Sequence, residues 1–396
     1  MAVLNLKPST PDEAIKIIIK VARMRVDKRP SIMLHGEPGS GKSTIVHTVS
    51  KILFGKKAPT VHLGLLESYE IKGIPLIDRE ANEVRWVQPD FLVKMAPGIV
   101  FFDEITQARR DTLAASYGIF LDRCIDGKMF PDDTVIIAAG NDTGDGAIAN
   151  EMGTALNDRF LHIWVVPDAL CFLKYHENRG MHPAVMALIH QMPQLLSNNK
   201  ERIESDHTVG MTMRAWESVS GLLETFLGDN PKSEDYEENL SLTETVISGR
   251  VGIFSAGHLI LTIRDINECA DPRVLLQEPL SQVERQLPST IRGGIALAFA
   301  FGHICKTSQG IAKAAAIMTL FERKDPNDLK TTDGALPMLG REIATLGVER
   351  LLRKAEELNL IDDIVNLRME GSDILLEYID KTARRHHEMM RASKAA

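Results

Sequence analysis

Apolar residues along the first 170 positions occur in two textures. Short, nearly continuous apolar runs lie at 31–35, 60–63, 98–102, 134–139 and 161–166. Runs of this length read as strands buried on both faces. Between them apolar residues recur at helical spacing. Thr10, Pro11, Asp12 and Glu13 form a start signal, in which Thr10 caps and Glu13 completes a capping box. The stripe Ile15, Ile18, Ile19 and Ala22 follows it, and a second helix runs from Lys42 to about Phe54. Strands alternating with helices predict a parallel sheet covered on both faces. Two short hairpins interrupt the alternation. One pairs 74–77 with 83–87; the other pairs 123–125 with 128–130 across Asp126 and Gly127, a turn that needs two positive φ values.

After Pro167 the pattern is helical only, with stripes over 168–179, 183–190, 213–227 and an Ala-rich stretch over 292–321. The acidic, Gly/Pro/Asn-containing segment 228–239 reads as a loop or linker. Residues 381–394 read as a basic helix end. The change after Pro167 separates an α/β region at 1–167 from a helical remainder.

Composition narrows the class. The 396 residues are 44% hydrophobic and 25% charged, with a formal net charge of -8. Such a chain folds rather than remaining disordered, and its charge disfavours coating nucleic acid. Aromatic residues, at 5%, are too sparse for a base-stacking platform. Cys124, Cys171, Cys269 and Cys305 lie far apart, without zinc spacing, and read as buried reduced thiols. The N-terminus lacks the apolar segment of a signal peptide, and the longest apolar run, 293–301, is too short to span a bilayer. A cytoplasmic protein without a membrane segment is the expectation.

The chemistry concentrates at strand ends. Gly36, Glu37, Pro38, Gly39, Ser40, Gly41, Lys42 and Ser43 spell GxxxxGK[ST] between an apolar strand and a helix. Glycines let backbone N–H groups close on a phosphate, and the helix N-terminus adds a positive field. Lys42 would reach the β- and γ-phosphates, Ser43 would ligate Mg²⁺, and Thr44 completes the cradle. The strand at 98–102 runs into Asp103 and Glu104, which places two carboxylates at the sheet's C-terminal edge. Asp103 would hold Mg²⁺ and Glu104 would polarise the attacking water. Asn141, at the tip of the next strand, would orient that water. Arg159, just before the strand at 161–166, is placed to act as an arginine finger towards a neighbouring subunit. Arg214, opening a later helix, would sense the γ-phosphate. His386, His387 and Glu388 do not form HExxH, and no nucleophile elbow is present.

Together these elements resemble the AAA+ ATPases. Within them, GIPLIDREANEVRWVQPDFL, FFDEITQARRDTL, AAGNDTGDGAIANEMGTALNDRF and TMRAWESVS look like the MoxR-like branch often encoded beside von Willebrand A-type proteins. The likeness covers roughly 10–265. It implies a five-stranded sheet of order 5-1-4-3-2, two hairpin inserts and a helical lid at 168–268, ahead of a helical C-terminal region at 269–396 of unassigned role. It further implies a homo-oligomeric ring, usually hexameric, with ATP and Mg²⁺ bound between subunits. Met213 stands where the branch would have a proline. The Asn-Thr-Ala-Asp element of GTP-using restriction ATPases is not matched by Asn141, Asp142, Thr143 and Gly144, which favours ATP. The function this resemblance implies is ATP-driven remodelling or activation of a partner protein, of von Willebrand A type by analogy. The alternative is an ATPase of a nucleic-acid-processing or defence system.

Overall fold

The structure, a computed structural model, describes residues 6–80, 82–87, 98–125, 128–141, 152–205, 207–227, 233–267, 271–323, 340–367 and 372–377. The expected turn at Asp126 and Gly127, residues 142–144, Cys269 and the basic end at 381–394 lie outside them. The chain divides into two compact units, one of residues 1–171, 197–208 and 212–214, the other of 172–196, 209–211 and 215–396.

The first unit is built on strands β1 (Pro8–Ser9), β2 (Ser31–His35), β3 (Thr60–His62), β6 (Ile99–Asp103), β9 (Val135–Gly140) and β10 (Phe160–Val165). They form one parallel sheet in the order β1-β10-β2-β9-β6-β3. From β10 onward this is the expected order 5-1-4-3-2. The sheet has six strands rather than five, because Pro8–Ser9 adds an edge strand to β10. Two residues carry no periodicity, so only tertiary pairing reveals them. The hairpins are present as β4 (Ile74–Asp78) with β5 (Glu83–Val87), and β7 (Cys124–Ile125) with β8 (Lys128–Met129).

The apolar runs are continuous because each strand feeds two cores. On one face Ile32, Leu34, Ile99, Phe101, Val135, Ile137 and Ile163 pack with Ile18, Val46 and Val49 from helices Pro11–Ala22 and Lys42–Phe54. On the other, Met33, Val100, Phe102, Ile136 and Ala138 pack with Leu113, Ile119 and Phe120 from helix Arg110–Asp122. Side chains alternate faces along a strand, so a strand buried on both sides must be apolar at every position.

The second unit is all helix among the described residues. Ile291–Ile304 is its centre, with every residue from 291 to 302 buried. A helix apolar on all sides requires packing all round. The Ala-rich stretch is two helices, because Thr307 opens a second one, Ser308–Thr319, by accepting from Gly310 N at 3.1 Å. The expected loop at 228–239 is shorter, since a helix begins at Tyr236. Of the three described cysteines, all free, only Cys305 is buried; Cys124 and Cys171 are half-buried, which corrects the expectation for those two. Burial pushes the Cys305 thiol up to about 12 and the Cys171 thiol up to about 11, so neither is a ready nucleophile. No described helix is long and apolar enough to cross a membrane.

The capping box at Thr10 is formed as read. Glu13 N donates to Thr10 Oγ1 at 3.3 Å, and Thr10 N donates to Glu13 Oε2 at 2.9 Å. Thr10→Ala removes an acceptor from the helix end and should destabilise the sheet unit by about 1 kcal/mol. Urea denaturation followed by circular dichroism measures it; a shift below about 0.3 kcal/mol would mean the cap contributes nothing.

Candidate active site

The register of the sheet gathers the strand-tip residues. β9 lies between β2 and β6, with His35 opposite Gly140 and Phe102 opposite Ala138. The loop after β2, the amide after β9 and the acids ending β6 therefore emerge side by side at the C-terminal edge.

The loop from Gly36 to Gly41 is held too closely for other residues. A Cβ on Gly36 would sit 2.5 Å from the backbone oxygen of Val165. Gly39 and Gly41 have φ of +80° and +85°, in the region that favours glycine, and Cβ atoms there would crowd Thr212 and Met213. Gly41 caps helix Lys42–Phe54 without a side-chain acceptor. The first-turn N–H groups of that helix have no intrahelical partner, which is the arrangement that attracts an anion. Glu37 is tied down by a hydrogen bond from the Ser197 hydroxyl to its Oε1.

Lys42 is buried, and its ammonium donates to Gly36 O at 2.7 Å, Glu37 O at 3.0 Å and Asn141 Oδ1 at 2.9 Å. A buried ammonium needs such a set of oxygens. One residue on, Ser43 Oγ donates to Asp103 Oδ2 at 2.9 Å. Asp103 Oδ1 accepts from Glu104 N at 3.0 Å. Glu104 itself adopts φ 57° and ψ 34°, a left-handed conformation that costs a non-glycine residue about 1 kcal/mol or more. Lys42, Ser43, Asp103, Glu104 and Asn141 are thus brought together as the sequence implies.

Ser43 Oγ and Asp103 Oδ2 are hard oxygen ligands side by side, the donor type Mg²⁺ takes alongside phosphate oxygens. Among the described residues no group of three or more His, Cys, Asp or Glu could hold a metal ion, so a cation here would depend on the phosphates for most of its ligands. Pro38, Gly39 and Thr44 are half-buried along the cradle, and Ser40 is buried in it. Arg159 and Arg214 are exposed, and neither bonds to Lys42, Ser43, Asp103 or Asn141. Among the described residues Arg159 forms no ion pair, including none with the adjacent Asp158.

Thr106, Gly140, His35 and His162 carried no sequence signal for a place at the site. Thr106 is buried against Gly140, where an added Cβ would lie 2.6 Å from its Cγ2. Gly140 is therefore the small residue that lets β9 deliver Asn141. His35, the last residue of β2, lies 2.7 Å through Nε2 from His162 Nδ1 on β10. Burial chiefly, then His162 and Lys42, push the His35 imidazole down to about 4.

Residues 31–160, about a third of the chain, match the AAA domain (dynein-related subfamily). The match begins at the first residue of β2 and ends at the first of β10. No curated protein matches the chain in sequence. Among solved structures the chain is similar to NtrX from Brucella abortus in complex with ADP, with 16% identity, 73% of this chain and 62% of that one covered, and a TM-score of 0.38. It is also similar to the RuvB Holliday junction branch migration motor of Thermotoga maritima, with 16% identity, 70% and 80% covered, and a TM-score of 0.36. The chain thus spans about six-tenths of the NtrX chain. These likenesses carry no functional reading; the site's own residues do.

Lys42→Ala removes the only ammonium in the cradle and should weaken binding of a fluorescent ATP analogue at least a hundredfold, with the circular dichroism spectrum unchanged. Wild-type affinity would show that the loop does not hold phosphate. Acid supplies an independent check. An imidazole held at about 4 in the fold but near 6.5 in the unfolded chain is neutral in both states above pH 6.5. As pH falls from 6.5 towards 4, only the unfolded chain takes up the proton, at a cost of up to about 1.4 kcal/mol per pH unit. The melting temperature of the wild type should therefore fall more between pH 7 and pH 5 than that of His35→Gln; parallel profiles would place His35 in water.

Proposed function

We propose that the chain hydrolyses ATP as a subunit of an AAA+ ring of the MoxR-like branch and uses the cycle to remodel or activate a partner protein. The observation that carries the ATPase reading is the 2.9 Å hydrogen bond between Ser43 Oγ and Asp103 Oδ2, beside a buried Lys42 bonded to Asn141. Sixty residues apart in sequence, the loop serine and the strand-tip acid meet only if the loop and the sheet edge form one site.

Lys42 would exchange loop carbonyls for β- and γ-phosphate oxygens, and the first-turn N–H groups would hold the remaining ones. Mg²⁺, held by Ser43 and Asp103 with the phosphates, would neutralise charge on them. Glu104 would draw a proton from the attacking water, and the Asn141 amide, already aimed at Lys42, would orient that water. Arg159, exposed and unpaired among the described residues, would reach the nucleotide of the adjacent subunit, and Arg214 would contact the γ-phosphate from its helix. Sites shared head to tail in this way are all completed when the assembly closes into a ring, for which a hexamer is the proposed size.

The partner-protein reading is supported by the surface of the first hairpin. Ile74, Leu76, Ile77, Val84, Trp86 and Val87 are all exposed there. The register puts Ile74, Leu76 and Val87 on one face of the hairpin and Ile77, Val84 and Trp86 on the other, and apolar side chains exposed on both faces suit contact with protein more than with a polyanion. The net charge of -8 points the same way. A cytoplasmic setting is proposed from the widely spaced cysteines, a core at 1–167 from the change of pattern after Pro167, and a von Willebrand A-type partner and a lid at 168–268 ahead of a C-terminal helical region from the MoxR-like resemblance.

Glu104→Gln keeps Asp103 in place and removes the base. It should bind ATP as the wild type does and release phosphate about 10²–10⁴ times more slowly; wild-type turnover would reassign Glu104 to the surface. Arg159→Ala should bind nucleotide normally yet lose about 10³–10⁵ in rate. Mixing it with Lys42→Ala subunits should restore part of the activity, because some interfaces then join an intact loop to an intact arginine. No recovery in rings shown by native mass spectrometry to be mixed would mean that each subunit works alone.

A further inference from the structure

The pair His35–His162 lies at the base of the phosphate loop and is used by none of the chemistry above. Its rings meet edge to edge, with centroids 5.0 Å apart and planes 29° apart. His35 Nε2 lies 2.7 Å from His162 Nδ1, and the other nitrogen of His162, Nε2, lies 2.8 Å from the backbone oxygen of Asn157. A carbonyl oxygen only accepts, so His162 Nε2 carries the proton of that bond. With both rings neutral, His162 Nδ1 is then the acceptor and His35 Nε2 the donor. The hydrogen bonds run in one direction, from His35 through His162 to Asn157.

Both ends of this chain are anchored at functional positions. His35 directly precedes Gly36, whose carbonyl accepts from Lys42 at 2.7 Å. Asn157 ends the short helix Thr154–Asn157, two residues before Arg159. That segment is braced locally as well. Asn157 Nδ2 donates to Met152 O at 3.1 Å, Arg159 N donates to Leu156 O at 3.2 Å, and the Leu156 side chain is fully buried. Arg159 therefore projects from a segment whose carbonyl is fastened, through two imidazoles, to the phosphate loop of the same subunit.

The sheet does not need this link. β2 and β10 are already paired by backbone bonds from Phe160 opposite Ser31 to Trp164 opposite His35. An apolar pair would fill the same space without a desolvation cost. What two histidines add is direction and a fixed end point at the Asn157 carbonyl.

We infer that His162 is a positioning residue, which with His35 and the Asn157 carbonyl forms a strut that fixes the segment carrying Arg159 against the end of β2, whatever the loop holds. The inference rests on the proposed role of Arg159. Displacement of a catalytic group by about 1 Å can cost about a hundredfold in rate, so a modest shift of the segment suffices.

The test separates an effect on a subunit's own nucleotide from one on its neighbour's. His162→Phe keeps an aromatic ring and cuts both hydrogen bonds; His162→Gln can accept from His35 and donate to Asn157. His162→Phe should bind a fluorescent ATP analogue within twofold of wild type and turn over at least tenfold more slowly, and His162→Gln should recover much of the loss. Should His162→Phe fail to fold by circular dichroism, His162→Leu serves as the cut. The deciding measurement mixes the cut variant with Lys42→Ala. Activity should reappear, because the cut subunit's nucleotide then meets the intact arginine of a Lys42→Ala neighbour. Wild-type turnover by the cut variant, or no reappearance while the Arg159→Ala mixture does recover, would overturn the strut. Recovery in neither mixture, with mixed rings present, would instead fail the shared-site reading and the strut with it.

Discussion

The sheet unit is organised around one buried ammonium. Lys42 is 8% exposed, and a charge taken out of water this far must be met by oxygens. Two come from the backbone of its own loop and one from Asn141 at the neighbouring strand tip. Each places a demand on the fold. The loop carbonyls turn inward only if the loop wraps on glycine, and Asn141 is within reach only if β9 lies next to β2. Strand order, loop sequence and the amide at the strand tip are three consequences of satisfying one side chain.

The same edge holds its acids by similar means. Asp103 accepts a hydrogen bond from the Ser43 hydroxyl on one oxygen and from the Glu104 N–H on the other, so both oxygens are directed by the protein itself. Glu104 sits in a left-handed conformation that turns the chain sharply out of β6. Strain of this kind persists where the surroundings over-determine the backbone. Here Ile105 and Thr106, both buried immediately after it, pin the chain down. Gly140, pressed against Thr106, shows how little room remains between the two strand tips.

Local pattern made a large part of this legible before any tertiary contact was known. The capping box at Thr10 and the helix from Lys42 to Phe54 follow from residues within one turn of one another. The five long strands and both hairpins announce themselves through runs and turns. The phosphate loop and the acids Asp103 and Glu104 are likewise contiguous signals, each read from a strand and what immediately follows it. These features depend on the side-chain period and on backbone preferences, which are properties of neighbours in sequence.

What the tertiary structure alone decided involves residues far apart. The edge strand at Pro8–Ser9 exists because β10 offers it a partner, not because two residues prefer to be extended. The meeting of Lys42 with Asn141 spans 99 positions, and that of His35 with His162 spans 127. A histidine at the end of an apolar run has no pattern that distinguishes a buried partner from a solvated tip; the parallel register of β2 with β10 makes the choice. Local pattern alone assigns the glycines, the lysine, the serine, the acids and the amide to particular strand tips. The three-dimensional packing decided which of them share hydrogen bonds, because a hydrogen bond depends on atoms within about 3 Å of each other and chain separation does not encode that distance.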